Sequence, residues 1–184
     1  MARYLLGQLA GHRFASKTLE NFIWTEENKH LRDFFYDIVS REVWERGVGI
    51  VGDVGIGKTH ILSSLYKNRV WVSIYCRGGI PVWLSFLDLI SEAREDRSFI
   101  KELVSEYDII FVDDLWSGGA SADEKNVIRE LVLRCYDSKK LICYTANWGL
   151  EKWSVDERVR DRLVEMCVEV ELVGLSFRGR VELI

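Results

Sequence analysis

Gly52-Asp53-Val54-Gly55-Ile56-Gly57-Lys58-Thr59 is the stretch on which the reading of this chain turns. It fits the pattern G-x-x-x-x-G-K-[ST]. Glycines at this spacing let consecutive backbone N–H groups turn inward and form a nest for an anion. A helix opening at the end of such a loop adds its positive terminus. Lys58 is expected to reach the β- and γ-phosphates of a nucleotide, and the Thr59 hydroxyl to ligate Mg²⁺. The expected ligand is ATP with Mg²⁺, gripped by Gly52 to Thr59.

The flanking sequence supplies the strand and helix that such a loop requires. Val48–Val51 is a short buried strand leading in, and the helix leading out runs from Lys58 to about Lys67. Upstream, Leu31, Phe34, Phe35, Ile38 and Val39 recur at helical spacing between Glu27 and Arg46, with Val43 following. Gly47 is the expected stop of that helix. Residues 1–26 read as an irregular arm lying across a domain that spans 27–184. Downstream, strands are expected at Val70–Cys76, Val82–Ser85, Ile109–Val112, Leu141–Tyr144 and Val168–Leu172. Helices are expected at Phe86–Arg94, Phe99–Glu106, Asp123–Tyr136 and Val155–Cys167. Strands alternating with helices imply βαβ units, hence an α/β fold with a mostly parallel sheet covered on both faces. We expect five parallel strands with a small edge addition.

Ile109-Ile-Phe-Val-Asp113-Asp114 reads as the acidic strand that partners a phosphate loop, the Walker B strand. Four apolar residues bury it, and two carboxylates emerge at the C-terminal end, where ligands bind in open α/β sheets. Apolar runs ending in two acids are also common as solvated strand ends; position after the phosphate loop favours the functional reading. Asp113 would support Mg²⁺ through Thr59 or water, and Asp114 would polarise the attacking water. Leu141-Ile-Cys-Tyr-Thr145-Ala-Asn147 is a further buried strand with a polar end. In P-loop ATPases of the additional-strand class, a strand between the two already described ends in a polar residue that orients water against the γ-phosphate. Asn147 fits that position, with Thr145 as the alternative and a plain turn asparagine as the competing reading.

Composition narrows the partners. The chain has 184 residues, 48% hydrophobic and 29% charged, which suits one globular domain. A net charge of −4 gives no whole-molecule attraction for nucleic acid, so any such contact needs a local basic patch or an assembled surface. The four cysteines, Cys76, Cys135, Cys143 and Cys167, form no C-x-x-C pair and read as reduced core residues. His12, His30 and His60 stand at no metal spacing to them. No apolar run approaches the ~20 residues that cross a bilayer, and Met1 to Phe14 has no signal-peptide character. The expected location is cytoplasmic, without membrane partners.

From Lys17 onward the chain resembles the DnaC/DnaI-type helicase loaders, which are AAA+ ATPases, and their relatives, the IstB-like ATP-binding helpers of transposition. Thr18-Leu-Glu-Asn-Phe22, Gly49-Ile-Val-Gly-Asp-Val-Gly-Ile-Gly-Lys-Thr-His60 and Val112-Asp-Asp-Leu115 carry the resemblance. So do Thr145-Ala-Asn147, Glu157-Arg-Val-Arg-Asp-Arg-Leu-Val-Glu-Met-Cys167 and Gly174-Leu-Ser-Phe-Arg178. The resemblance implies that His60 joins the nucleotide-binding set and that the adenine lies against the arm around Phe22. By spacing alone Arg158 and Arg162 share a helix face while Arg160 points elsewhere, a pattern usual for a solvated, salt-bridged surface. The resemblance implies that Arg162 is an arginine finger for a neighbouring subunit's ATP. Arg178 looks like a second γ-phosphate-sensing arginine. Phe86–Arg94 and Phe99–Glu106 sit where the group carries a helical wedge, with Arg94, Arg97 and Lys101 as DNA-contact candidates or a solvated face. Two residues depart from the family pattern: Asp161 replaces a serine before the finger, and Asp114 stands where AAA+ proteins generally carry glutamate. The arm is shorter than a helicase-binding domain, and no separate helical lid is expected after the core. The implied activity is slow ATP hydrolysis in a homo-oligomer that engages single-stranded DNA and a replicative helicase. A transposition helper and a nucleotide-dependent scaffold that barely hydrolyses ATP are the alternatives.

Overall fold

The computed structural model describes residues 16–76, 79–116 and 119–177. Elements follow in the order α1 (Lys29–Ser40), β1 (Gly47–Gly52), α2 (Lys58–Cys76), β2 (Pro81–Ser85), α3 (Phe86–Glu95), α4 (Phe99–Glu106) and β3 (Ile109–Trp116). Then come α5 (Ala122–Asp137), β4 (Leu141–Ala146), a 3₁₀ turn (Leu150–Lys152), α6 (Glu157–Met166) and β5 (Cys167–Leu172). The strands form one parallel sheet in the order β2-β3-β4-β1-β5. As expected from the sequence, β4 lies between β3 and β1, so the strand ending in Asn147 separates the phosphate-loop strand from the acidic one.

Alternation along the strands builds two cores. On one face Val51, Ile110, Val112, Ile142 and Tyr144 pack with Leu89, Leu103, Ile128, Leu131 and Leu163 from α3 to α6. On the other, Val48, Ile50, Ile109, Phe111 and Cys143 meet Leu19, Phe35, Ile61, Leu62 and Leu65 from the arm, α1 and α2. Burial on both faces explains why the strands read as continuous apolar runs. No edge addition occurs among the described residues.

Two sequence expectations fail here for identifiable reasons. Val70–Cys76 is not a strand; it is the second half of α2, which runs 19 residues. Its β-branched and aromatic residues lower helix propensity by only a few tenths of a kcal/mol each. Extending an existing helix needs no new nucleus. Arg69 fixes this half in place: its guanidinium lies 4.4 Å over the Trp44 ring and donates to the carbonyls of Arg41 and Glu42. Those carbonyls belong to the chain leaving α1, which ends at Ser40 rather than at Gly47. Trp44 Nε1 donates to Ile38 O at 2.9 Å, closing that end. Gly47 instead opens β1, where a Cβ would sit 1.7 Å from the Ile142 carbonyl oxygen.

Candidate nucleotide site

β1 delivers the chain to the phosphate loop, and α2 leaves it with Lys58 as its first residue. Gly52, Gly55 and Gly57 all take positive φ, the conformation that turns successive N–H groups to one side. Asp53 and Val54 form the exposed tip, while Ile56 is buried beneath. Gly57 has a second requirement: a Cβ there would lie 2.5 Å from the Phe22 ring. Phe22 is 6% exposed and also contacts Trp24, His60 and Phe177 edge-on. Its place is thus underneath the loop. The His60 ring turns toward the arm, its Nε2 2.8 Å from Thr18 O and 2.9 Å from Asn21 Oδ1. Burial lowers its pKa, so the neutral ring is favoured near neutral pH.

Three separated segments meet at the start of α2. Lys58 Nζ donates to Gly52 O (2.7 Å), Asp53 O (2.8 Å) and Asn147 Oδ1 (3.0 Å). The Thr59 hydroxyl donates to Asp113 Oδ1 at 3.0 Å. Asn147 is positioned by its own N–H, which donates to Trp116 O. Thr145, the alternative for Asn147's role, is fully buried and faces elsewhere: its hydroxyl donates to Asp113 Oδ1 at 2.6 Å and accepts the Asp114 N–H at 2.8 Å. Asp114 is exposed and left-handed, with φ 57°. Burial raises the Asp113 pKa, with the Asp114 charge adding to it and the hydrogen bonds from Thr145 and Thr59 opposing it.

A carboxylate and a hydroxyl in contact are hard oxygen donors of the kind Mg²⁺ takes. Thr59 can keep donating to Asp113 while its lone pairs face a cation, so these residues fit a Mg²⁺ ion bound with a nucleotide. Such an ion would neutralise phosphate charge. Lys58 and the inward N–H groups would hold the phosphate oxygens, and the N-terminus of α2 adds to the positive field.

Arg94, Arg160 and Arg162 make their contacts away from this cluster. Arg162 stacks 3.9 Å over the Tyr136 ring and bonds Glu165 at 3.3 Å, tying α6 to α5. Arg160 donates to Trp153 O, whereas Arg158 is exposed at the start of α6. Arg178 lies outside the described residues. Arg94 pairs with Asp123 at 2.7 Å, and Arg97 and Lys101 are solvent-exposed. What sequence reasoning missed is the link from Thr145 to both acids. Its only sequence signal is a hydroxyl two residues before Asn147, near the end of the strand.

No protein-family model matches this chain, and no curated protein matches it. Solved structures do. The DnaC helicase loader aligns with a TM-score of 0.72 at 19% identity, over 88% of this chain and 99% of that one. DnaI gives 0.69 at 13% identity, over 91% and 93%. The replication initiator DnaA bound to AMPPCP and single-stranded DNA gives 0.63 at 24%, over 85% of this chain but 50% of that one. At these identities the likeness is one of fold: this chain shares the five-stranded parallel P-loop core seen in the structures of the DnaC helicase loader and of DnaI.

Proposed function

We propose that this protein binds ATP·Mg²⁺ through Gly52–Thr59 and Asp113, hydrolyses it slowly, and uses the cycle to assemble with copies of itself. The observation that carries the reading is the convergence of Lys58, Asn147, Thr59 and Asp113 at one end of the sheet. Three motifs dozens of residues apart have no packing reason to place a cation, an amide and a carboxylate together. In hydrolysis Asp114 would take the proton of the attacking water, and Asn147 would orient that water against the γ-phosphate. Arg162 would act on a neighbouring copy's nucleotide, from the α5–α6 side of the domain. The cellular role is that of a replication helicase loader, with single-stranded DNA and a replicative helicase as partners; the shared fold with DnaC, DnaI and DnaA supports this part.

Native mass measurement with a non-hydrolysable ATP analogue, with ADP and with neither tests nucleotide dependence and assembly at once. The expected result is a larger species with the analogue than without, and none for Lys58→Ala, which loses the cation for the β/γ-phosphates. A Lys58→Ala protein that binds and assembles as the wild type does would end the assignment.

A further inference from the structure

Thr145 sits where β3 leaves its ladder. Val112 pairs with Tyr144 and Trp116 with Ala146, so three residues of β3, 113 to 115, span one residue of β4, Thr145. The surplus forms a bulge that carries both acids. Within it, the Asp114 N–H donates to a side-chain oxygen, Thr145 Oγ1. The same oxygen donates its proton to Asp113 Oδ1, and Thr59 donates to that carboxylate oxygen from the other side. One buried hydroxyl therefore holds a side chain of one acid and the backbone of the next. The second is a non-glycine residue in the left-handed region, a conformation that costs of order 1 kcal/mol and persists only when its surroundings impose it.

We infer that Thr145 is a positioning residue: through Asp113 it sets the Mg²⁺ site, and through the Asp114 backbone it aims the carboxylate that handles water. The inference rests on the reading of the site as an ATPase centre. It also explains why Thr145 in β4 and Asn147 just beyond it are not interchangeable. Asn147 reaches Lys58, while the oxygen of Thr145 is committed to the two acids.

Thr145→Val keeps the shape and removes the hydroxyl; Thr145→Ser keeps the hydroxyl. Losing a hydrogen bond to a charged group and orphaning an N–H predicts a fall in kcat of about ten- to a hundredfold for valine. KM for ATP should stay within about threefold, and serine should restore kcat to within about threefold of wild type. In parallel, the Mg²⁺ concentration giving half-maximal binding of a non-hydrolysable ATP analogue should rise severalfold in valine but not in serine. Should valine prevent folding, Thr145→Ala carries the same expectations. A valine protein with wild-type kcat and Mg²⁺ midpoint overturns the inference, as does loss of kcat and affinity together without rescue by serine. If the wild type binds ATP but never hydrolyses it, the proposed activity fails. The Mg²⁺ midpoints alone then decide the role of Thr145.

Discussion

Asp113 and Asp114 are neighbours in sequence with opposite surroundings, and substitutions should separate them. Asp113 is half-buried, bonded by two threonine hydroxyls, and its carboxyl is held above the usual range by burial. Its ionised form is costly alone and is favoured by a cation. Asp113→Asn should therefore raise the Mg²⁺ needed for nucleotide binding while Mg²⁺-free binding stays unchanged, as read by titration with a fluorescent ATP analogue. Asp114 is exposed and makes its bond through the backbone. Asparagine tolerates the left-handed conformation, so Asp114→Asn should leave the bulge intact. It should keep Mg·ATP binding and cut steady-state hydrolysis by about two orders of magnitude or more. Identical behaviour of the two variants would show the division of labour to be mistaken.

At the level of elements, Asp108 does for the entry ends of the strands what Thr145 does at their exits. Its carboxylate accepts from Ile80 N at 2.8 Å and from Lys140 Nζ at 2.7 Å, tying the starts of β2, β3 and β4. Burial alone would push its pKa up, but the bonds from Lys140 and the Ile80 N–H outweigh that and hold it below the usual carboxylate range. A depressed carboxyl stabilises the fold above its ordinary pKa and loses that contribution as pH falls through the folded-state value. Asp108→Ala should cost about 1 kcal/mol at pH 7, or about 2–4 °C in Tm. The gap between variant and wild type should close below about pH 4 in denaturant titrations. A gap independent of pH would mean that packing, rather than the charged pair, is responsible. Elements were legible where burial on both faces left a plain apolar run: β3 and β4 begin where the sequence places them, and α4 keeps both its ends. Val70–Cys76 was misread because alternating β-branched and aromatic residues look alike in a strand and in a helix with an exposed stripe. Trp71 and Tyr75 make that stripe, stacked one turn apart in solvent. Lys58, Thr59, Asp113 and Asn147 could be picked out because each belongs to a local pattern. The double duty of Thr145 could not, since it depends on how a bulge in one strand registers against another.

For the molecule as a whole, the test is whether the site is complete in one copy. Arg162 is stacked on Tyr136 and bonded to Glu165, on α6 and facing α5. A finger acting between copies predicts that Arg162→Ala spares ATP binding and lowers hydrolysis by about 10³–10⁵. Mixing it with Asp114→Asn subunits should restore part of the activity, greatest near equal amounts and lost on dilution, in a phosphate-release assay. Co-assembly without any recovery would assign Arg162 a structural role within its own subunit. Gly47 links the two ends of the sheet. With 1.7 Å between an added Cβ and the Ile142 carbonyl, even alanine would first require β4 to move away from β1, and with it Asn147 away from Lys58. A single methyl group where β1 begins would thus be felt at the far end of the sheet, where the phosphate loop meets β4.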